Sequence, residues 1–470
     1  MLTKLRIQNF KGWQDTGEIK MAPITLFFGA NSSGKSSIGQ FLMMLKQTVE
    51  SPDRKAVFYP GGKNSAVQLG AYQDMVFHRN PKNKISFEYQ WNLPNLLEFK
   101  DALIERNCYK ADNIAFNAQI SSSLTREETP AVENLRYRLN FKSQEILSIK
   151  MVYESKEDKP YIISAQNYSL KRKQQRPWKL SSTIKFYGFP DEVIAYHQNA
   201  EFVQDLNLAH ENLFKSIYYL GPLRNKADRL YTWGGIAPES VGYSGENTIS
   251  AMLASRSRMM SLRVRKRKES FEKIIAASLK TMNLIDEFRV KKISDQRQEY
   301  EVKVKAKGSH DFVDLPDVGF GISQVLPVLV QCFYAPSNSI IIMEQPEIHL
   351  HPSAQSALAD VMINVINSRE NGPRNIQLII ETHSEHFLRR LQRRIAEDKS
   401  NKLSENVSVY FANITTTPPK LESLEIDMFG NITNWPENFF GDEITDISCQ
   451  AKAAMDKRVQ SLTRNESTNE

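Results

Sequence analysis

Polar and apolar residues alternate from the start of the chain. Met1-Leu2-Thr3-Lys4-Leu5-Arg6-Ile7 puts them on opposite sides, the pattern of a half-buried strand. Ile24-Thr25-Leu26-Phe27-Phe28 is a short apolar run instead, and predicts a buried strand ending at Gly29. Beyond a loop, Ile38, Phe41, Leu42, Leu45 and Val49 recur at helical spacing on one face. From about residue 84 the texture changes. Segments such as Lys84-Ile85-Ser86-Phe87-Glu88-Tyr89 and Tyr137-Arg138-Leu139-Asn140-Phe141 alternate, and predict a mostly β region to about residue 200. Residues 201–285 read as largely helical, interrupted by Trp233-Gly234-Gly235 and Gly242-Tyr243-Ser244-Gly245. Strand texture returns at Tyr300-Glu301-Val302-Lys303-Val304. Two more buried strands follow, Ile340-Ile341-Ile342-Met343-Glu344 and Leu378-Ile379-Ile380. No internal repeat or sustained heptad is present, and the polar residues Thr463 to Glu470 are expected to be disordered.

Composition narrows the class. A chain of 470 residues suits two or three domains, and 41% hydrophobic with 10% aromatic residues fits packed globular structure. No stretch approaches the roughly 18 consecutive apolar residues of a membrane span, and the N-terminus lacks the apolar core of a signal peptide. Cys108, Cys332 and Cys449 lie far apart without CxxC spacing. That argues against a disulfide framework or a Cys-rich zinc site, and points to a reducing, cytoplasmic setting. The net charge of +7 is compatible with nucleic acid but speaks to encounter rather than function.

The chemistry begins at Gly29-Ala30-Asn31-Ser32-Ser33-Gly34-Lys35-Ser36, which matches GxxxxGK[ST] between a strand and a helix and continues into Ser37. Glycines let the backbone turn so that several N–H groups converge on phosphate oxygens, and the helix N-terminus adds its dipole. Lys35 is placed to reach the β- and γ-phosphates of ATP, and Ser36 to hold Mg²⁺.

A second cluster lies near the other end. Glu344 closes an apolar strand, where a P-loop enzyme needs an acid for the Mg²⁺ shell. Upstream, Gly319-Phe320-Gly321-Ile322-Ser323-Gln324 is a glycine turn entering a helix-like run. Downstream, the last strand runs into Glu381-Thr382-His383-Ser384. Taken singly, each has a structural reading as a polar strand end or a helix cap. Ser323 is not in a nucleophile elbow, because Val325 occupies the last glycine position of G-x-S-x-G. His349, His351, His383 and His386 fall on neighbouring segments, yet H-E-x-x-H and the expected Cys/His spacings are missing.

In this order the pieces resemble the ABC/SMC-like superfamily that includes RecF, SMC proteins and the overcoming-lysogenization-defect (OLD) ATPases. The opening Leu5-Arg6-Ile7-Gln8-Asn9-Phe10-Lys11 is similar to that group's "hydrophobic-x-NF-K/R" start. Pro346-Glu347-Ile348-His349-Leu350-His351-Pro352 resembles the "PE-hydrophobic-HLHP" run of defence-type AAA-family ATPases of the OLD-like branch, such as the PtuA subunit of Septu systems. The resemblance implies an α/β, ABC-type P-loop head interrupted by a β-rich, then helical insertion. The head would span residues 1–83 and 301–425, the insertion 84–300, and a C-terminal cap and tail 426–470. It implies that Gly321, Ile322, Ser323 and Gln324 form a signature element facing the γ-phosphate of a second head. It makes His383 the switch histidine and Gln73 the Mg²⁺- and water-sensing glutamine, an exposed loop glutamine being the alternative reading. The family pair after the carboxylate strand is Asp-Glu; here it is Glu344-Gln345. Glutamine cannot accept a proton, so either Glu347 substitutes as general base, or turnover is slow and ATP acts mainly as a clamp. No acidic cluster like that of the Toprim nuclease joined to OLD proteins follows His383.

Three basic runs could track phosphates: Lys171-Arg172-Lys173, Arg263 through Lys268, and Arg389-Arg390 with Arg393-Arg394. A solvated face is the plainer reading of each. The expected function is a nucleotide-dependent dimer switch acting on DNA or on a separate effector protein, with no membrane partner. The alternatives are a non-catalytic ATP-binding scaffold for a nuclease or toxin, and a recombination or repair factor.

Overall fold

The computed structural model describes residues 1–122, 129–154, 161–174, 179–263, 266–436, 439, 448–455 and 457–458. The tail from Thr463 to Glu470 and part of the Arg263–Lys268 run lie outside the described residues.

Strand β1 (Leu2–Phe10) buries Leu2, Leu5, Ile7 and Phe10, and pairs antiparallel with β2 (Trp13–Asp15) and β3 (Ile19–Lys20). The chain then crosses to a second layer through β4 (Ile24–Gly29) and α1 (Lys35–Glu50), which buries the predicted Ile38, Phe41, Leu42, Leu45 and Val49. After the short helix α2 (Tyr72–Met75) it returns beside β1. Strands β5 (Ile85–Asp101), β6 (Ile104–Ser121), β7 (Ala131–Phe141), β8 (Gln144–Tyr153) and β9 (Tyr161–Gln166) extend one antiparallel sheet in the order β2-β1-β5-β6-β7-β8-β9. Leu5 lies opposite Tyr89 and Ile7 opposite Phe87. The division read at residue 83/84 therefore falls inside a single sheet. Texture marks where the strands lengthen but carries no information on which strand they join.

Helices α3 (Asp191–Tyr196) and α4 (Phe202–Lys215) lead into β10 (Ile217–Leu220), a strand within the range read as helical. A small antiparallel sheet follows from β11 (Tyr231–Thr232), β14 (Ile285–Lys292), β15 (Glu299–Ala306) and β16 (Val313–Asp314). Helices α5 (Thr248–Ala254) and α6 (Phe271–Thr281) and the pair β12 (Met259–Met260) and β13 (Glu269–Ser270) are interleaved with it. The chain ends through α7 (Phe320–Tyr334), β17 (Ile340–Glu344), α8 (Pro352–Ile366), β18 (Gln377–Glu381), α9 (Glu385–Glu397), α10 (Lys402–Glu405), β19 (Val407–Asn413) and β20 (Lys420–Leu424).

The second sheet, in the order β10-β17-β18-β4-β19-β20, is parallel except for β20. Every residue of β17 and β18 is buried, as expected of parallel strands covered on both faces. Successive residues alternate between two cores. Ile340, Ile342, Ile379 and Phe27 join the core containing α1 and the antiparallel sheet. Ile341, Met343, Leu378 and Ile380 join the core containing α7, α8 and α9. Gln377 ties the sheets together: it accepts from Leu2 N (3.0 Å) and donates to Leu2 O (2.8 Å) and Ala22 O (3.0 Å). From the aromatic C-terminal segment, Phe439 packs on Phe28 and Phe411, with ring centroids 5.3 and 5.0 Å apart. None of the described helices is long and apolar enough to cross a membrane.

Candidate functional site at the edge of the parallel sheet

The parallel strands β4, β17 and β18 all end at one edge, and the candidate residues gather there. The glycine loop leaves β4 with Gly29 at φ 144, Ser32 at φ 61 and Gly34 at φ 89. Gly34 is the N-cap of α1, and a Cβ on it would stand 3.2 Å from the Trp13 ring. Both backbone conformation and space demand glycine there. Trp13 is fully buried, and its indole N–H lies 3.0 Å from Gly34 O and 2.9 Å from Ser37 Oγ, so β2 braces the loop from behind. Ala30, Asn31 and Ser32 are exposed and Ser33 is buried. Lys35 Nζ donates to Gly29 O (3.0 Å) and Ala30 O (2.7 Å), which holds its charge within the curve of the loop. Burial lowers its pKa, and the neighbouring Glu381 carboxylate opposes that shift.

Side-chain alternation decides what faces the loop. Because Ile340 and Ile342 point to the α1 side, so does Glu344; because Ile379 does, so does Glu381. The two glutamates are register partners across β17 and β18, which brings two carboxylates together above the start of α1. Tyr219 of β10 points the same way and donates to Glu344 Oε1 at 2.8 Å. Burial and then the charge of Glu381 push the Glu344 pKa up to about 7. Burial also raises that of Glu381, opposed by a hydrogen bond from Ser36 and the charge of Lys35. Lys11, from the Asn9-Phe10-Lys11 opening, adds a cation near Glu344.

The loop after β17 turns away from this edge. Gln345 takes a left-handed conformation (φ 45), and its N–H donates to Glu381 O at 2.8 Å. Glu347 is buried, and its Oε1 accepts from Thr382 Oγ1 (2.7 Å) and His383 N (2.9 Å). The acid expected as a base is thus tied to the histidine loop, and it positions His383. The His383 ring is exposed; desolvation first and the Lys35 charge second lower its pKa. Gln73 sits exposed on α2, and its side chain makes no hydrogen bond among the described residues. The α2 segment meets the Asn9-Phe10-Lys11 opening where Lys11 N donates to Met75 O at 2.7 Å.

At the stretch expected to form a signature element, Gly319 (φ 93) caps α7. Gly321 approaches His349 O so closely that a Cβ would meet it at 2.8 Å. Ser323 Oγ donates to Phe320 O at 2.7 Å within its own turn. Gln324 is 2% exposed and reaches Arg224 O at 3.5 Å, so its side chain serves its own head. No hydrogen bond among the described residues joins residues 319–324 to residues 29–37.

Arg224 was not singled out by sequence reading. It is 6% exposed, donates to Glu344 O (3.0 Å) and Gln345 O (3.3 Å), and reaches Gln324 O at 3.4 Å. It therefore locks the carboxylate strand to the start of α7. The Gly221-Pro222-Leu223-Arg224 stretch after a short apolar strand was the available signal. Tyr219, Trp13 and the role of Glu381 were missed as well, since pairing alone brings them to the site. Among the described residues, no group of three His, Cys, Asp or Glu side chains is arranged to hold a metal ion by itself, the four histidines included.

Known proteins resemble the chain at two levels. A family model described as AAA ATPase domain matches residues 1–388, and one described as a protein of unknown function (DUF3696) matches residues 404–448. No curated protein matches the chain. Among solved structures, the SMC head bound to the C-winged helix domain of ScpA is 11% identical, covering 90% of this chain and 98% of that one at a TM-score of 0.42. The SMC head domain from Thermotoga maritima is 10% identical, covering 90% and 99% at 0.37. The Smc head with an extended coiled coil bound to the C-terminal domain of ScpA, derived from Pyrococcus furiosus, is 11% identical, covering 90% and 96% at 0.41. The match over residues 1–388 takes in both halves of the sheet edge, the glycine loop near one end of the chain and the acids near the other, and the chain therefore belongs to the AAA ATPase domain family.

Proposed function

We propose that the chain binds ATP with Mg²⁺ at this edge and that nucleotide controls the pairing of two copies. One observation carries the reading. Lys35, Ser36, Glu344 and His383 lie at or just beyond the ends of three adjacent parallel strands, while no hydrogen bond among the described residues joins the α7 N-terminus to the glycine loop. A glycine-opened helix start is an anion cradle. With Phe320 47% exposed beside it, the cradle is presented outward, where a second head would bring its own triphosphate. Ser36 and the neighbouring acids offer the hard oxygen donors Mg²⁺ prefers.

The Pro346–Pro352 run supports the finer assignment, an ATPase subunit of an anti-phage system that passes its nucleotide state to a separate effector. Gln345 supports a second reading, in which ATP is held as a clamp with slow turnover, because the position after Glu344 has no proton acceptor. DNA contact through α9 gains no support. Arg390 and Arg394 pair with Asp360, Arg389 with Glu385, and Arg393 with Glu397.

The test joins binding to assembly. Lys35→Ala should abolish ATP binding or weaken it severely, since a methyl group cannot replace a charge-assisted contact to phosphate. Wild-type protein should show an ATP-dependent rise in mass by light scattering, which Lys35→Ala lacks. Normal nucleotide affinity in the folded variant would overturn the loop assignment.

A further inference from the structure

Glu381 has no role in the reading drawn from sequence, yet it is the register partner of Glu344 on the adjacent strand. It ends β18, the strand between the glycine-loop strand β4 and the carboxylate strand β17. Alternation turns it onto the α1 face, level with Glu344. Ser36, at the start of α1, and the charge of Lys35 both act on it, opposing the rise that burial gives its pKa. The residue is 9% exposed, and its Oε2 is buried with no hydrogen-bond partner among the described residues.

Such an arrangement is costly for the protein alone. Two buried carboxylates side by side repel, and an unpaired buried carboxylate oxygen loses its hydration without replacement. Lys35 does not resolve this, because its Nζ is spent on the carbonyls of Gly29 and Ala30. Tyr219 satisfies one oxygen of Glu344 only. A divalent cation would answer both problems: carboxylate and hydroxyl oxygens are its preferred donors, and its charge offsets the paired acids. Glu347 also has a buried Oε2 without a hydrogen-bond partner among the described residues, but its Oε1 holds Thr382 and His383 on the histidine loop, and Glu381, not Glu347, is the register partner of Glu344.

We propose that Glu381 is a carboxylate of the divalent-cation site, acting with Ser36 and Glu344 to hold the cation that accompanies a nucleoside triphosphate. The proposal rests on the nucleotide reading above. On it, the acidic function that usually belongs to one strand is divided between two: Glu381 orients the Ser36 hydroxyl, and Glu344, held by Tyr219, completes the oxygen set.

The experiment measures metal rather than turnover. The full chain and its Glu381→Gln variant are titrated with a non-hydrolysable ATP analogue in EDTA and in Mg²⁺, and the nucleotide complexes are titrated with Mn²⁺, followed by its electron paramagnetic resonance. Equal affinity in EDTA shows that the variant is folded with an intact glycine loop. The Mn²⁺ affinity of the variant complex should fall about 10- to 100-fold, the range seen when groups that orient metal ligands are removed, and the tightening by Mg²⁺ should shrink with it. Glu381→Asp, which keeps the charge one methylene further back, should fall between the two. Unchanged Mn²⁺ affinity in Glu381→Gln overturns the proposal, even if turnover is lost, because the carboxylate would then act on water or on the loop. Failure of the wild-type chain to bind the analogue with or without metal would overturn the nucleotide reading and this proposal together.

Discussion

Glu347 shows how one carboxylate can be claimed by structure before chemistry can use it. Its Oε1 accepts two hydrogen bonds from the histidine loop, and burial raises its pKa against those bonds. Glutamine at this position keeps an oxygen where Oε1 lies. Glu347→Gln should therefore retain turnover within several-fold of wild type, whereas Glu347→Ala should lose far more by releasing His383. Steady-state ATP hydrolysis of the two variants decides this. A loss of about 10²-fold or more in Glu347→Gln would make Glu347 the general base after all. Lys35, Ser36 and Glu344 could be proposed from the sequence because local spacing places them at strand and helix ends. Arg224 and Glu381 could not, because each acquires its meaning from a neighbour on another strand.

Elements carry their own chemistry in the join between α4 and the antiparallel sheet. His210 is fully buried, with Nε2 2.8 Å from Tyr89 Oη and Nδ1 2.9 Å from Tyr137 Oη. A neutral imidazole offers one donor and one acceptor, which two phenols can match. Burial holds the His210 pKa well below its ordinary value of 6.5. The unfolded chain therefore takes up a proton, as pH falls through that value, that the folded state refuses. The resulting stability is complete above about pH 6.5 and declines below it, by up to about 1.4 kcal/mol per pH unit for one proton. Denaturant midpoints from pH 8 to pH 5 should fall for the wild type. His210→Phe should be less stable at pH 8 by about 1–3 kcal/mol, having left two buried hydroxyls without that partner, yet should show a shallower acid slope. An acid slope as steep as the wild type's would remove His210 as its source. Alternation along β5 and β7 foretold their buried aromatics, but nothing local foretold that a helix some 70 residues later would supply the polar partner.

At the scale of the molecule, the glycine-capped start of α7 and the glycine loop are separate features, and pairing of two copies is the proposed means of joining them. Ser323→Arg should leave ATP binding intact while blocking ATP-dependent assembly, because a bulky cation would fill the start of α7. Light scattering with and without ATP reads the outcome, and normal assembly in the variant would mean that another surface makes the contact. The arginines of α9 show the same dependence on the whole. A run that reads as a basic stripe is neutralised by Asp360 of α8 and by acids along its own helix.

The sequence by itself determined the local events. Spacing set the glycine loop and its following helix, apolar runs set β4, β17 and β18 as buried strands, and alternation set the edges of β1 and β5. These follow from backbone geometry and side-chain period, which act over a few residues. The tertiary structure decided which strands are neighbours: that β5 joins β1 rather than opening a separate unit, that β10 belongs to the parallel sheet, and that Glu381 stands beside Glu344. Strand pairing depends on burying two faces at once, a condition satisfied only when segments hundreds of residues apart pack together, and so no local pattern encodes it.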